Sequence, residues 1–252
     1  MSEIICDTNI WYELGANPPS EEFLKKNSLI GTFHSIDELS RTPILISHYD
    51  SVQKAIQSLM TYSKRTIFEP PFIYLKRQNK PDFHYNPASK LRQILLFTKA
   101  IANGENLIEE KITDYEKHCA VRRADLQSAA DFFNSEASKI KPKIKDNEKH
   151  RKEDSIPVNR NFISFCVANE AKASGLDEGF NWPSIELFES VLKIVFNDLE
   201  TGAVTLTAND WYDMFNLIYV RPGQLYWTKE KKWINFIKRA GMDKYLFIPT
   251  EN

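Results

Sequence analysis

Strand-type segments occur only toward the two ends of the chain, and most of them run into a helical pattern. This arrangement limits the fold more than any other feature. Residues 3–7 are a short apolar run ended by polar side chains, which predicts a buried strand. "PPSEEFLKKN" (18–27) opens with Pro and a Ser cap and predicts a short helix. "SLIGTF" (28–33) is a second strand candidate, and "HSIDELSR" then starts a helix with Ser35 as its cap. "ILIS" (44–47) fits strand or loop, whereas "DSVQKAIQSLMTYS" (50–63) sets Val52, Ile56, Leu59 and Met60 at helical spacing. "TIFEPPFIYLKR" (66–77) carries β-rich residues around a Pro pair, so any strand there is short or at an edge. Toward the other end, residues 207–220 predict a helix with an acidic first turn. Residues 223–228 predict a strand, 229–241 a helix ending in Gly, and 245–248 a final strand. Alternating strands and helices imply a parallel sheet. If both ends enter one sheet, the first strand lies centrally, beside the strand made from residues 225–228.

From residue 87 to about 200 the pattern is nearly all helix. "PASKLRQILLFTKAIANG" begins with Pro and ends with Gly, and residues 105–140 sustain helical periodicity. "KIKPKIKDNEKHRKEDS" (139–155) is apolar-poor, mixed in charge and interrupted by Pro142, which predicts a solvated linker or mobile loop. Helices resume at 158–173 and 184–200. The expected organisation is an α/β core from residues 1–80 and 200–252, with a helical insertion at 81–199 and its charged loop near 139–155. Only 8 of 252 residues are Gly, which suits a helix-rich chain long enough for one large core. A net charge of -1 does not mark a nucleic-acid binder globally, though it leaves room for a local basic surface. Three cysteines without a CxxC pair predict reduced thiols in a cytoplasmic protein, with neither a disulfide framework nor a zinc site. No signal-peptide pattern and no membrane-spanning apolar run is evident, so no membrane association is expected.

In an open parallel α/β sheet, ligands bind beyond the carboxyl ends of the strands. Asp7 ends the first strand, Glu38 follows the second by one helical turn, and Glu230 follows "LYWT" by two residues. Asp210 and Asp213 lie three apart in the helix leading into that strand, so they share a face. In such a sheet the first three acids reach the same edge, and the pair can join them. Clustered carboxylates repel one another unless cations are present, and a set of hard oxygen ligands suits Mg²⁺ or Mn²⁺. Such ions, bridging a phosphodiester, activate water and stabilise the leaving oxygen.

"IICDTNIWYEL", followed by "SIDEL", "NDWYDMFNLIYV" and "LYWTKE", resembles the PIN-domain nucleases over about the first seventy and the last fifty residues. That family has an Asp at the end of its first strand, often followed by Thr or Ser and Asn, as Asp7, Thr8 and Asn9 are here. Its second acid stands before a Leu in the helix after strand two, matched by Glu38 and Leu39. Its third acid opens a late helix ahead of a Thr-x-Asp; Asp213 has the better spacing to Thr228, with Asp210 in reserve. Glu230 stands where the last Asp is usual and is one methylene longer. The resemblance implies a three-layer fold, a parallel sheet flanked by helices, and metal-dependent endoribonuclease activity. It also implies Mg²⁺ or Mn²⁺ held by Asp7, Glu38 and Asp213, with Asp210 or Glu230 helping through water and Thr8, Asn9 and Thr228 orienting the ligands. RNA is the implied substrate, with single-stranded DNA as the alternative. Toxin or defence biology would add an inhibitory protein partner, and homo-oligomers stay open. The gap from Glu38 to Asp210 exceeds that of compact members, so the helical insertion is a lid, a substrate-gripping subdomain or a partner dock.

Each acid also has a structural explanation. Asp7 and Asn9 suit helix capping, and Glu38 stands at capping-box distance from Ser35, beside an Asp37 that looks like an ordinary exposed residue. Thr207 and Asp210 have the same box spacing, which favours a cap over a ligand at Asp210. Glu230 suits a helix N-terminus through the dipole. Asp213, flanked by bulky apolar residues, is harder to explain as a cap. Lys64-Arg65, Lys76-Arg77, Arg122-Arg123, Lys229, Lys231 and Lys232 are phosphate-contact candidates or plain solvated surface. Trp211, Tyr212 and Trp227 suit base stacking or core packing, and His34 reads as a hydrogen-bonded structural residue. The alternative to a nuclease is a PIN-like scaffold that binds RNA or protein without cutting. A phosphatase using Asp7 as nucleophile ranks lower, because its motif wants a second Asp at Asn9.

Overall fold

A computed structural model describes residues 1–85, 89–105, 109–144 and 155–249. Four parallel strands make one sheet: β1 (Ser2–Cys6), β2 (Asn27–Thr32), β3 (Ser63–Ile67) and β4 (Leu225–Trp227), in the order β3-β2-β1-β4. The first strand is therefore central. Ile5 pairs with Ile30 on one side and Tyr226 on the other, so residues 6, 32 and 227 all end at one edge. The helices are α1 (Thr8–Ala16), α2 (Glu21–Lys26), α3 (Phe33–Ser40), α4 (Tyr49–Tyr62), α5 (Pro71–Asn79), α6 (Ser89–Ala102), α7 (Glu109–Ile144), α8 (Ser155–Ala171), α9 (Glu186–Thr201), α10 (Ala208–Asn216) and α11 (Lys231–Arg239).

Side chains alternate across a strand, and both faces here are apolar, as in a sheet covered on both sides. Ile4, Cys6, Leu29 and Trp227 face α1, α4 and α6 through Trp11, Ile56 and Ile94. Ile5, Ile30 and Tyr226 face the other layer, where Val191, Met214 and Phe236 of α9, α10 and α11 pack. Ala130 of α7 and Ile163 of α8 belong to that same cluster. The helical segment thus continues the core, and α6 crosses to the opposite face.

One contact in the first layer is unusually close. A Cβ added at Gly15 would lie 2.7 Å from the carbonyl carbon and oxygen of Lys54, and the Ser58 hydroxyl donates to the Trp11 carbonyl at 2.7 Å. Gly15→Ala is expected to force α1 and α4 apart and to lower stability by about 1–3 kcal/mol, read from the denaturant midpoint. An unchanged midpoint would mean the helices have slack the structure does not contain.

Several expectations need correction. Residues 245–248 do not form a full strand: a 3-10 turn over Asp243–Tyr245 uses the first of them, leaving one bridge between Tyr226 and Leu246. "ILIS" resolves into a 3-10 turn, Pro43–Leu45, followed by turn. The Pro pair stands between edge strand β3 and α5, with Pro71 at the first helical position, where its missing N–H costs nothing. Helix α7 continues to Ile144, so residues 139–144 are helical and not loop; Pro142 falls in the last turn, after Ala130 and Ala137 have docked the helix on the core. The rest of the expected charged loop, 145–154, lies outside the described residues. Among the described residues, no helix is long and apolar enough to cross a membrane.

Candidate active site

Asp7 leaves the end of β1 and caps α1, but the cap accounts for one bond alone. Its Oδ1 accepts the Thr8 N–H at 2.8 Å, while its Oδ2 accepts from Asn9 Nδ2 at 2.8 Å and Thr228 Oγ1 at 2.6 Å. The Asp7 N–H donates to the Trp227 carbonyl at 2.9 Å, which stitches the ends of β1 and β4 together. Asp7 is 3% exposed. Burial raises its pKa; the Thr228 and Thr8 bonds work against that rise, and the charge of Glu230 adds to it.

Glu38 is no capping-box partner. The cap of α3 is Thr32, whose Oγ1 accepts the Ser35 N–H at 3.2 Å, so Ser35 already lies inside the helix. Glu38 Oε2 accepts from Thr8 Oγ1 at 2.6 Å. Thr8 thus bonds Asp7 through its amide and Glu38 through its hydroxyl. Burial pushes the Glu38 carboxyl up to about 7, against the Thr8 bond and with the charges of Asp7 and Glu230. The neighbouring Asp37, expected on the surface, is 1% exposed and pairs with Arg41 one turn later.

The two acids of α10 separate in role. Asp210 Oδ2 accepts the Thr207 N–H at 2.7 Å and the Thr207 hydroxyl at 2.9 Å, and its other oxygen pairs with Lys232. Both oxygens are therefore engaged in capping the helix and tying it to α11. Asp213, one turn deeper, accepts from Trp233 Nε1 at 2.8 Å. Burial, then the charges of Asp7 and Glu38, push its carboxyl up to about 8. Glu230 is the exposed N-cap of α11; its N–H donates to Thr228 Oγ1 at 3.1 Å, and its charge reaches Asp7, Glu38 and Asp213. Asn9 takes the Lys229 N–H at 3.2 Å and so fastens the end of β4 to α1.

Sequence reasoning passed over a second layer of residues. Thr32 Oγ1 donates to Asn216 Oδ1 at 3.0 Å, and Ser35 Oγ donates to the Cys6 carbonyl at 3.3 Å, all of them buried. These bonds fix α3 and α10, the helices that carry Glu38 and Asp213, to the end of β1. The available signal was Asn216, a polar residue one turn after Asp213 inside apolar text. Trp233, the donor to Asp213, carried no signal beyond its hydrophobicity.

Among the described residues no Lys or Arg pairs with Asp7, Glu38 or Asp213, and no group of three His, Cys, Asp or Glu side chains is arranged to hold a metal ion. The donor chemistry nevertheless fits a hard divalent cation. The donors are carboxylate oxygens whose charges oppose one another, and an ionised carboxylate offers about four acceptor sites, more than the present bonds use.

Most of the basic candidates have structural work. Lys76 is buried, and its ammonium donates to the Ser174 carbonyl at 2.8 Å and the Gly175 carbonyl at 2.7 Å. Arg77 pairs with Glu69, Arg65 with Glu3 at 3.1 Å and Lys229 with Glu13 at 2.5 Å. The Arg122 side chain lies outside the described residues, while Arg123 lines a 570 Å³ cleft together with Glu38, Asn209 and Tyr212. Trp211 and Trp227 are core residues. His34 is buried among the rings of Tyr212, Phe215 and Tyr219. The chain matches no protein-family model, no curated protein and no solved structure.

Proposed function

We propose that this protein is a metal-dependent nuclease of the PIN-domain kind that hydrolyses phosphodiester bonds in RNA. One observation carries the reading. Asp7, Glu38 and Asp213, from three distant parts of the chain, lie near the carboxyl edge of a parallel sheet; burial raises all three, the charge of Glu230 adds to the rise at each, that of Asp7 adds at Glu38 and Asp213, and that of Glu38 adds at Asp213. Such an arrangement works against folding, and perturbed carboxyls of this kind concentrate at functional sites. In this reading Asp7, Glu38 and Asp213 hold Mg²⁺ or Mn²⁺, and Glu230 reaches it through water. The ion, when bound, supplies charge neutralisation and a more acidic water. Thr228 and Asn9 hold Asp7 Oδ2 in place, Thr8 fixes Glu38, and Trp233 fixes Asp213.

A second reading is a scaffold of the same fold that binds RNA or protein without cutting. Cleavage of an end-labelled single-stranded RNA, with DNA of the same sequence as comparison, separates the two. The nuclease reading expects products in Mg²⁺ or Mn²⁺, none in EDTA, and none with Glu38→Gln. RNA that stays intact with either ion, together with no heat of Mn²⁺ binding in calorimetry, would leave the scaffold.

A further inference from the structure

A cavity of about 830 Å³ is lined by residues of α3, α5, α6, α7, α8 and α10. Its volume falls within the roughly 300–1,000 Å³ of small-molecule sites. Its walls are largely apolar and rich in aromatic rings, with polar groups from Asp37, Arg41, Asp125, Asn169 and Glu170 among them. Two of its rings, Phe132 of α7 and Phe165 of α8, are 60% and 64% exposed. Folding gains little from large rings left in water on two separate helices.

The cavity does not stand alone. It shares Arg41, Leu126 and Tyr212 with the 570 Å³ cleft, and that cleft contains Glu38 and Arg123. The aromatic chamber and the cleft that holds Glu38 and Arg123 are therefore neighbours with common wall residues. A carboxylate and a guanidinium in one cleft, beside a chamber of aromatic rings, are the kinds of group that a phosphate and its base would meet. A hydrocarbon ligand would use the chamber and leave the charged cleft idle, whereas a base offers a π-face to the rings and polar edges to Asn169 and Asp125.

We propose that this chamber is a nucleobase pocket, and that it takes a base next to the phosphodiester at the acids while Arg123 contacts a phosphate of the same strand. The proposal deepens the nuclease reading and rests on it for the polarity of the strand, but binding tests it without cleavage.

The test is a fluorescence titration, in EDTA, of a short single-stranded RNA carrying one 2-aminopurine, moved stepwise along the strand; the matching DNA forms a second arm. Stacking should quench the fluorophore at one position. Phe132→Ala with Phe165→Ala should remove that quenching and weaken binding about 5- to 150-fold. Both rings are exposed, so circular dichroism should show an unchanged fold. Arg123→Ala should weaken binding, lower the salt slope by about one, and leave quenching at saturation intact. No quenching at any position, or quenching indifferent to both Phe substitutions, overturns the pocket. Quenching that depends on the two rings, from a protein that cuts nothing in Mn²⁺, keeps the pocket and removes the nuclease. Cleavage in Mn²⁺ without ring-dependent quenching does the reverse.

Discussion

Asp7→Asn is expected to abolish RNA cleavage while the protein stays folded. The side chain keeps its size, and one oxygen remains to accept the Thr8 N–H. What disappears is the negative charge and one hard oxygen at the centre of the group. Its Oδ2 is held by both Asn9 and Thr228, so no neighbouring carboxylate can move into that place without breaking the bonds that join β4 to α1. Changing a residue that merely supports a metal ligand costs about 10–100-fold in affinity or activity. Loss of the ligand itself should exceed that, giving a drop of more than about 100-fold in cleavage rate. Circular dichroism and the melting temperature check the fold. Asn in place of Asp leaves donors facing donors on the Oδ2 side, so a stability loss on the order of 1 kcal/mol is expected. Full cleavage by the variant would remove Asp7 from the chemistry.

Asp213→Asn should make the metal-free protein more stable at high pH. In the folded chain burial, then the charges of Asp7 and Glu38, push the Asp213 carboxyl up to about 8, whereas in the unfolded chain it returns to the ordinary value of about 4. Between those limits the folded state keeps a proton that the unfolded state has lost. Stability therefore falls as pH rises through that window, and the loss is complete above the folded value. Glu38, pushed to about 7, adds in the same direction. Below about pH 4 both states are protonated and the effect vanishes. An Asn at 213 cannot ionise and still has an oxygen for the Trp233 N–H. At pH 9 the variant should melt about 4–8 °C higher than the parent, equivalent to on the order of 2 kcal/mol, with no gain near pH 4. Mn²⁺ should reverse the order, raising the melting temperature of the parent and not that of the variant. Equal pH profiles for the two proteins would show that burial and the neighbouring charges do not raise the Asp213 carboxyl in the folded chain.

The order of the sheet that carries Asp7 was legible in the sequence, for a definite reason. Alternation of strand and helix at both ends of the chain placed β1 beside β4, which sets Asp7 next to Thr228. Asp210 was legible as a cap from its spacing to Thr207. Other features depend on choices that local text does not make. Thr32 and Ser35 are both good caps three residues apart, and only packing decided that α3 starts at Phe33; with that start, Glu38 turns from a capping partner into a residue bonded by Thr8. Asp37 looked exposed because its partner, Arg41, is itself a charged residue, yet the two are buried together. The helical stretch showed its period but not which side of the sheet each helix would cover, and α6 took the opposite face from α7, α8 and α9. The chamber draws its walls from α3, α5, α6, α7, α8 and α10 and has no signature in the linear text.

The central claim is that Asp7 at the end of β1, Glu38 of α3 and Asp213 of α10 jointly hold one divalent ion. Anomalous diffraction from a crystal soaked in Mn²⁺ tests it most directly. The expected result is an anomalous peak bounded by the carboxylates of Asp7, Glu38 and Asp213. A map with no peak there, or a peak held by other residues while these three stay hydrogen-bonded as they are now, would contradict the account.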